Sequence, residues 1–149
     1  MAIERPNHNP YSALNFTMEI DGAQVAAFQE ISGLDSENTP IEYREGADAM
    51  NTVRKLPGWE RYQNLVCKRG VCGNTVLWDW RKEVRDGGTT FPPTRNVTIQ
   101  LLDEKHNPVL KWRLTNAWCC KLSGPSLNAK GNEIAIETME LAYDRIDME

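Results

Sequence analysis

The side chains that could do chemistry in this sequence are few, and their spacing suits little of it. Four cysteines, Cys67, Cys72, Cys119 and Cys120, come as one pair separated by four residues and one adjacent pair, whereas zinc wants Cys-x2-Cys spacings with histidines at regular offsets. The two histidines, His8 and His106, fall in stretches that read as loops. The cysteines do not make a disulfide framework either, so reduced, structural thiols are expected. Asp103, Glu104 and His106 could be read as ligands, but DEKHN has the composition of a polar turn tip. There is no G-x-S-x-G, no G-x-x-x-x-G-K-S/T, no H-E-x-x-H and no G-x-G-x-x-G. General-base chemistry would then fall to carboxylates such as Glu137 and Glu140. Exposed strand positions account for both more simply. No catalytic, cofactor-binding or metal-ligating residue is assigned, no cofactor is expected, and the balance moves from enzyme toward binding or assembly.

The 149 residues fit one domain, with 1–12 as a polar N-terminal arm and 13–149 as the folded unit. A net charge of −4, with 26% charged and 40% hydrophobic residues, matches an ordinary globular protein and offers no basic surface for nucleic acid. The N-terminus lacks an apolar run after a basic start, and no segment approaches the ~18 apolar residues of a membrane helix. Folding in the cytoplasm is expected, and a role outside the cell would need release by lysis or by a route without a cleaved signal.

Most of the chain reads as strands and turns. Leu14 to Ile20 alternates apolar and polar residues, Asp21-Gly22 is a strong hairpin signal, and Gln24 to Phe28 returns. Pro40 to Tyr43 and Tyr62 to Cys67 read as further strands. Arg95 to Leu102 faces Val97, Ile99 and Leu101 inward, and Val109 to Leu114 follows as its hairpin partner. The last strand, Glu133 to Arg145, switches parity near Thr138, which implies a bulge or cover on both sides.

The one convincing helix spans about Asn74–Asp86, capped by Asn74 or Thr75 and stopped by Gly87-Gly88. Val76, Leu77, Trp80 and Val84 form its core stripe at roughly 100° per residue. Trp78 lies off that stripe, beside Lys82 and Arg85. Either the barrel curls round to bury it, or a second subunit covers it.

Between Arg44 and Glu60 the chain has no period of 2 or 3.6, and it ends in an expected Leu56-Pro57-Gly58 turn. Structureless connections beyond about 12–15 residues are uncommon in compact domains and are often functional. Its charges alternate, and Met50, Val53 and Leu56 are spaced to cover a partner. The alternative is a solvated excursion closing two strands. Charge is also uneven along the chain. Arg61 to Arg85 holds six basic residues against two acidic ones, and Ile134 to Glu149 holds five acidic against one basic. Copies could align these stretches head to tail. Contacts between subunits are therefore expected from Arg44, Glu45, Asp48, Met50, Val53, Arg54, Lys55 and Leu56 in the long segment, from Trp78, Lys82 and Arg85 on the helix, and from Glu137 and Glu140.

Taken in order, PYSALNFTMEIDG, FQEISGLDSE, IEYREGAD, RKLPG, LVCKRG, a helix carrying LWDW, a hairpin into WRLTNAW, and GNEIAIETMELAYD resemble the tail tube proteins of contractile phage tails and bacterial contractile injection systems. The resemblance runs from about Asn9 to Asp144. It departs at Cys119-Cys120 after Trp118, where members often carry proline, and that bears on the local bend alone. It implies a mainly β fold, a single barrel or sandwich flanked by one helix. Six copies would form a ring, and rings would stack into a hollow rigid tube inside a contractile sheath. Implied partners are the chain itself, the sheath, baseplate and tube-terminating proteins, and cargo or DNA in the lumen, with no membrane insertion by the subunit. The particle would be a phage tail or an injection device, including one released from the cell. The segment Arg44 to Gly58 would reach toward a neighbouring ring. Three other readings stay open: a monomeric small-molecule-binding β-barrel with Trp78 at its mouth, a hydrolase using carboxylates, and a tube-initiator or baseplate adaptor paralogue.

Overall fold

Apolar alternation becomes strand wherever one face can meet a core. In the computed structural model, which describes residues 9–24, 28–73, 75–87 and 93–149, the described residues form ten strands and one helix. Strand β1 (Phe16–Ile20) buries Met18 and Ile20. Asp21 and Gly22 take φ of 51° and 82°, the left-handed pair of a tight hairpin, and return the chain as β2 (Ala23–Gln24) in register Glu19↔Gln24. The rest of the expected return strand, 25–27, lies outside the described residues, as do 1–8 of the expected arm.

Short β3 (Glu30–Ser32) is followed by β4 (Glu37–Tyr43), β5 (Arg54–Arg61) and β6 (Leu65–Gly70), then by the helix α1 (Val76–Asp86), β7 (Arg95–Leu102), β8 (Pro108–Ser123), β9 (Ile136–Ala142) and β10 (Arg145–Met148). Eight of the strands make one antiparallel sheet, ordered β2-β1-β7-β8-β9-β6-β3, with β10 also on β8. The sixteen-residue β8 belongs to both halves. Its first part pairs with β7 and β10, and its second with β9. Asn116, at φ 54°, marks the bend, and a register shift opposite Arg95 and Val97 accompanies it. The sheet curls so that Met18, Ile20, Val97, Ile99 and Leu114 from one half pack with Leu65, Cys67, Cys119, Met139 and Leu141 from the other. Leu77 and Trp80 of α1 join the same core, and the Trp80 indole donates to the Pro93 carbonyl at 3.2 Å.

Four expectations are corrected. Leu56-Pro57-Gly58 is no turn; it lies within β5, whose partner β4 begins at Glu37. Opposite it, the register shifts between Asn38 and Pro40, and a side chain at Gly58 would collide with the Thr39 carbonyl and Ile41. The fourth strand runs Leu65–Gly70 and starts later than expected. Val76 is 42% exposed and leaves the helix stripe, which consists of Leu77 and Trp80 with Val84 half-buried. The last strand has no parity switch. Ile134 precedes it, 81% exposed, and the inward face of β9 is Glu137, Met139 and Leu141 throughout. Other signals hold. Gly87, at φ 79°, donates its N–H to Glu83 and ends the helix, although Thr75 makes no side-chain cap bond. Asn74, Gly88, Phe91 and Pro92 lie outside the described residues. The 103–107 tip is a polar turn closed by the Asp103 carboxylate, which accepts the N–H groups of Lys105 and Asn107 at 2.9 Å. Those backbone bonds hold the Asp103 carboxyl below its ordinary value.

Gly33 sits at φ 95°, where a Cβ would meet the Asn64 carbonyl oxygen at 2.5 Å. Gly33→Ala should therefore cost about 1–3 kcal/mol in urea unfolding. Gly22→Ala, at φ 82° but facing open space, should cost about 1–2 kcal/mol from backbone strain alone.

The core thiols make a second expectation. Burial pushes Cys67 up to about 12 and Cys119 to about 11 from the ordinary thiol value of 9.0. The folded chain keeps these protons after the unfolded chain has released them. Their contribution to stability is thus complete below about pH 9 and is lost as pH rises toward 12. The urea midpoint should fall across that window, and a maleimide at neutral pH should label exposed Cys72 while sparing both.

Candidate assembly surface

The hairpin β4–β5 forms its own two-stranded sheet, hydrogen-bonded to no other strand among the described residues. Every β4 residue is exposed, and so is every β5 residue except half-buried Gly58. Ile41 and Leu56, paired across the strands, are 51% and 49% exposed, and Trp59 is 84% exposed. A two-stranded hairpin alone is marginal in water, and here neither face has a core. Within the expected interface segment the structure finds local order. The Asp48 carboxylate accepts from Arg54 at 2.7 Å and from the Glu45 N–H at 3.0 Å, and the Arg44 guanidinium donates to Asn51 at 3.3 Å. The Tyr43 hydroxyl donates to Glu45 at 3.0 Å. Asp48 is thus turned to its own loop, while Arg44, Glu45, Met50, Val53, Arg54, Lys55 and Leu56 face solvent. Exposed ion pairs of this kind give about 0–1 kcal/mol each. They shape the tip more than they stabilise it.

On α1, Trp78 is 47% exposed. The barrel does not curl round to cover it, which corrects the reading that buried it. Lys82 and Arg85 are exposed on the same helix, with Arg85 turned to Asp86 at 3.1 Å. Strand β10 pairs with β8 and meets no second strand among the described residues, so one edge of its backbone is open.

Glu137 is the clearest departure from expectation. It is 4% exposed rather than at the surface, and its carboxylate accepts the guanidinium of Arg69, itself 1% exposed and directly opposite on β6. Glu140 is half-buried across from Val66. Parts of the basic and acidic stretches, β6 and β9, are therefore adjacent strands of one subunit, whereas Lys82 and Arg85 stand exposed on α1. Lys68 also pairs with Glu30, Arg145 with Asp147 and Arg113 with Glu149. Head-to-tail attraction between opposed patches thus loses the charges of Arg69 and Glu137. The parity of β9 carried the missing signal: Glu137 is in phase with Met139 and Leu141. A carboxylate in an apolar register calls for a buried cation, and β6 carries Arg69 in phase with Leu65 and Cys67.

One apolar cleft in the barrel wall, lined by Ala13, Phe16, Ile31, Leu34, Ile99, Leu101 and Trp112, holds about 150 Å³. That is below the ~300 Å³ at which small-molecule sites begin. Glu137→Ala should cost about 3–5 kcal/mol by stranding the Arg69 charge, whereas Arg69→Met with Glu137→Leu should be near neutral; calorimetric unfolding of both variants checks this.

A family model described as T4-like virus tail tube protein gp19 matches residues 12–147. No curated protein sequence matches significantly. Among solved structures, the chain is similar to one from the sheath-tube complex of an extracellular contractile injection system, PVC, in the extended state. That likeness has 28% identity and TM-score 0.82 over 94% of this chain and 91% of that one. It is also similar to a chain of the anti-feeding prophage baseplate, at 28% identity and TM-score 0.80 over 95% and 96%. Hcp1 from Flavobacterium johnsoniae shares the fold at 14% identity and TM-score 0.60, covering 89% of this chain and 93% of that one. The mainly β barrel, its single flanking helix and a match across nearly its whole length agree, and this chain belongs to the T4-like virus tail tube protein gp19 family.

Proposed function

We propose that this chain is the repeating inner-tube subunit of a contractile injection system, with residues 13–149 as one unit, six copies closing a ring, and rings stacking into a hollow column inside a sheath. The observation that carries the reading is the β4–β5 hairpin, an ordered element with apolar side chains on a body that covers neither of its faces. Such a hairpin gains its missing contacts from sister copies. The open edge of β10 and the uncovered Trp78 extend the same logic round the subunit.

The work done is mechanical rather than catalytic. A tube pushed end-on must not bend or shear, and its subunits resist both only if backbone ladders and apolar seams continue across their boundaries. Contacts between copies are assigned to Arg44, Glu45, Met50, Val53, Arg54, Lys55 and Leu56, with Asp48 holding the tip in shape. Trp78, Lys82, Arg85 and half-buried Glu140 contribute from the barrel, and Glu137 takes no part because Arg69 holds it inside. The sheath, baseplate and tube-terminating proteins would be the other partners. Assembly would take place in the cytoplasm before the particle acts outside it, with cargo or DNA in the lumen.

Negative-stain electron microscopy of the purified protein, with particle components added if needed, should show rings or tubes. Trp78→Ala, and separately a deletion of Ala47 to Val53, should leave the circular-dichroism spectrum of the barrel intact while reducing ring or tube formation at least about tenfold, given ~1.5–3 kcal/mol per large apolar side chain left uncovered. Loss of the β signal in both variants would assign these residues to subunit stability instead.

A further inference from the structure

We propose that Tyr143 is a positioning residue for the β4–β5 hairpin: with Tyr62 and Gly33 it locks the joint through which the hairpin leaves the barrel, and so fixes the angle at which the hairpin's uncovered faces are presented. The consequence for assembly rests on the tube-subunit reading, whereas the joint itself is a property of the single chain.

A hairpin hydrogen-bonded to no other strand takes its direction from the connectors on which it is mounted. These are residues 33–36, between β3 and β4, and 62–64, between β5 and β6. Asp35, Ser36, Gln63 and Asn64 are exposed, and two such connectors with nothing to tie them would let the hairpin swing. Contacts at three points remove that freedom. Gly33, at φ 95°, brings the entry connector onto the exit connector: a Cβ there would meet the Asn64 carbonyl oxygen at 2.5 Å and the Leu65 Cα at 3.4 Å, so the two backbones touch. The Tyr143 hydroxyl donates to the Gly33 carbonyl at 3.3 Å, and the Asp35 N–H donates to the same oxygen at 2.9 Å. The Tyr143 ring lies against Tyr62 with centroids 5.7 Å apart and planes at 44°, a tilted aromatic pair. One side chain thus holds both connectors.

The corner that carries Tyr143, between β9 and β10, is itself fixed to the barrel. The Asp144 N–H donates to the Thr115 carbonyl at 3.0 Å, and the Asn116 side-chain amide donates to the Asp144 carboxylate at 3.0 Å, both at the bend of β8. On the entry side Ile31 and Leu34 pack against the core, and on the exit side the Asn64 amide reaches the Cys120 Sγ at 3.7 Å. A residue that served only to cover the core would need its ring alone. Here the hydroxyl is spent on Gly33 and the ring on Tyr62, which places both contacts on the connectors. An exposed element whose direction is set in advance loses less freedom when a partner covers it, and that saving appears as affinity.

Paired spin labels read the angle. In a Cys72→Ser, Cys120→Ser background, labels at Lys55→Cys on β5 and Arg113→Cys on β8, both exposed positions, should give one narrow distance distribution in the full-length monomer isolated by size exclusion. Tyr143→Leu should keep the circular-dichroism spectrum, broaden that distribution, and lower tube yield at least about tenfold. Tyr143→Phe, which keeps the ring against Tyr62 and loses only the hydroxyl, should recover part of the narrowness and part of the yield. A broad distribution in the chain with native Tyr143 would overturn the joint. So would a Tyr143→Leu variant whose urea midpoint falls while its distribution stays narrow, since Tyr143 would then serve the core alone. Broadening with tubes of normal yield would overturn the positioning role. If the chain with native Tyr143 formed no tubes while the distances responded as expected, the tube reading would fail and the joint would stand.

Discussion

A strand pair survives in water only when at least one of its faces is covered. The subunit meets that requirement everywhere except at β4–β5. The eight-stranded sheet folds on itself, buries Met18, Leu65, Leu77, Trp80, Met139 and Leu141 almost completely, and is stable on its own terms. The hairpin is ordered as two strands, tied at its tip by Asp48, and left bare. Coverage from outside the chain is therefore part of the fold's own logic. Tube membership is the form of coverage that the family relationship points to.

Charge is handled in the opposite way. Arg69 and Glu137 neutralise each other inside the barrel, at a site where two apolar residues would be equally stable. Their cross-strand pairing fixes the register of β6 against β9, since a one-residue slip would turn both charges outward and the neighbouring apolar residues with them. Surface ion pairs such as Lys68 with Glu30 and Arg113 with Glu149 close within the subunit.

Much of the fold was legible because the core leaves a periodic trace. Alternation in β1 and β7, the Asp21-Gly22 turn and the Gly87 helix stop each reflect a local constraint that tertiary context does not override. Trp78 was legible for the same reason, being out of phase with Leu77 and Trp80. Strand β5 was not legible. With no buried face it has no period, and Pro57 and Gly58 mimic a turn when read without their partner at Thr39 and Pro40. Glu137 was misread because its type was weighed above its phase. The family resemblance singled out the 44–58 segment, but the arrangement of its tip, with Asp48 turned inward and Met50 outward, depends on side-chain geometry that residue order does not encode.

Strand β8 carries one more implication. Because it is shared by both halves of the barrel and its hydrogen bonds run to β7, β9 and β10, neither half can slide past the other unless several ladders rupture together. Such a member distributes an axial thrust instead of concentrating it at a hinge. During sheath shortening, yielding would then begin at the junctions between subunits, and the barrel itself would behave as an incompressible brick.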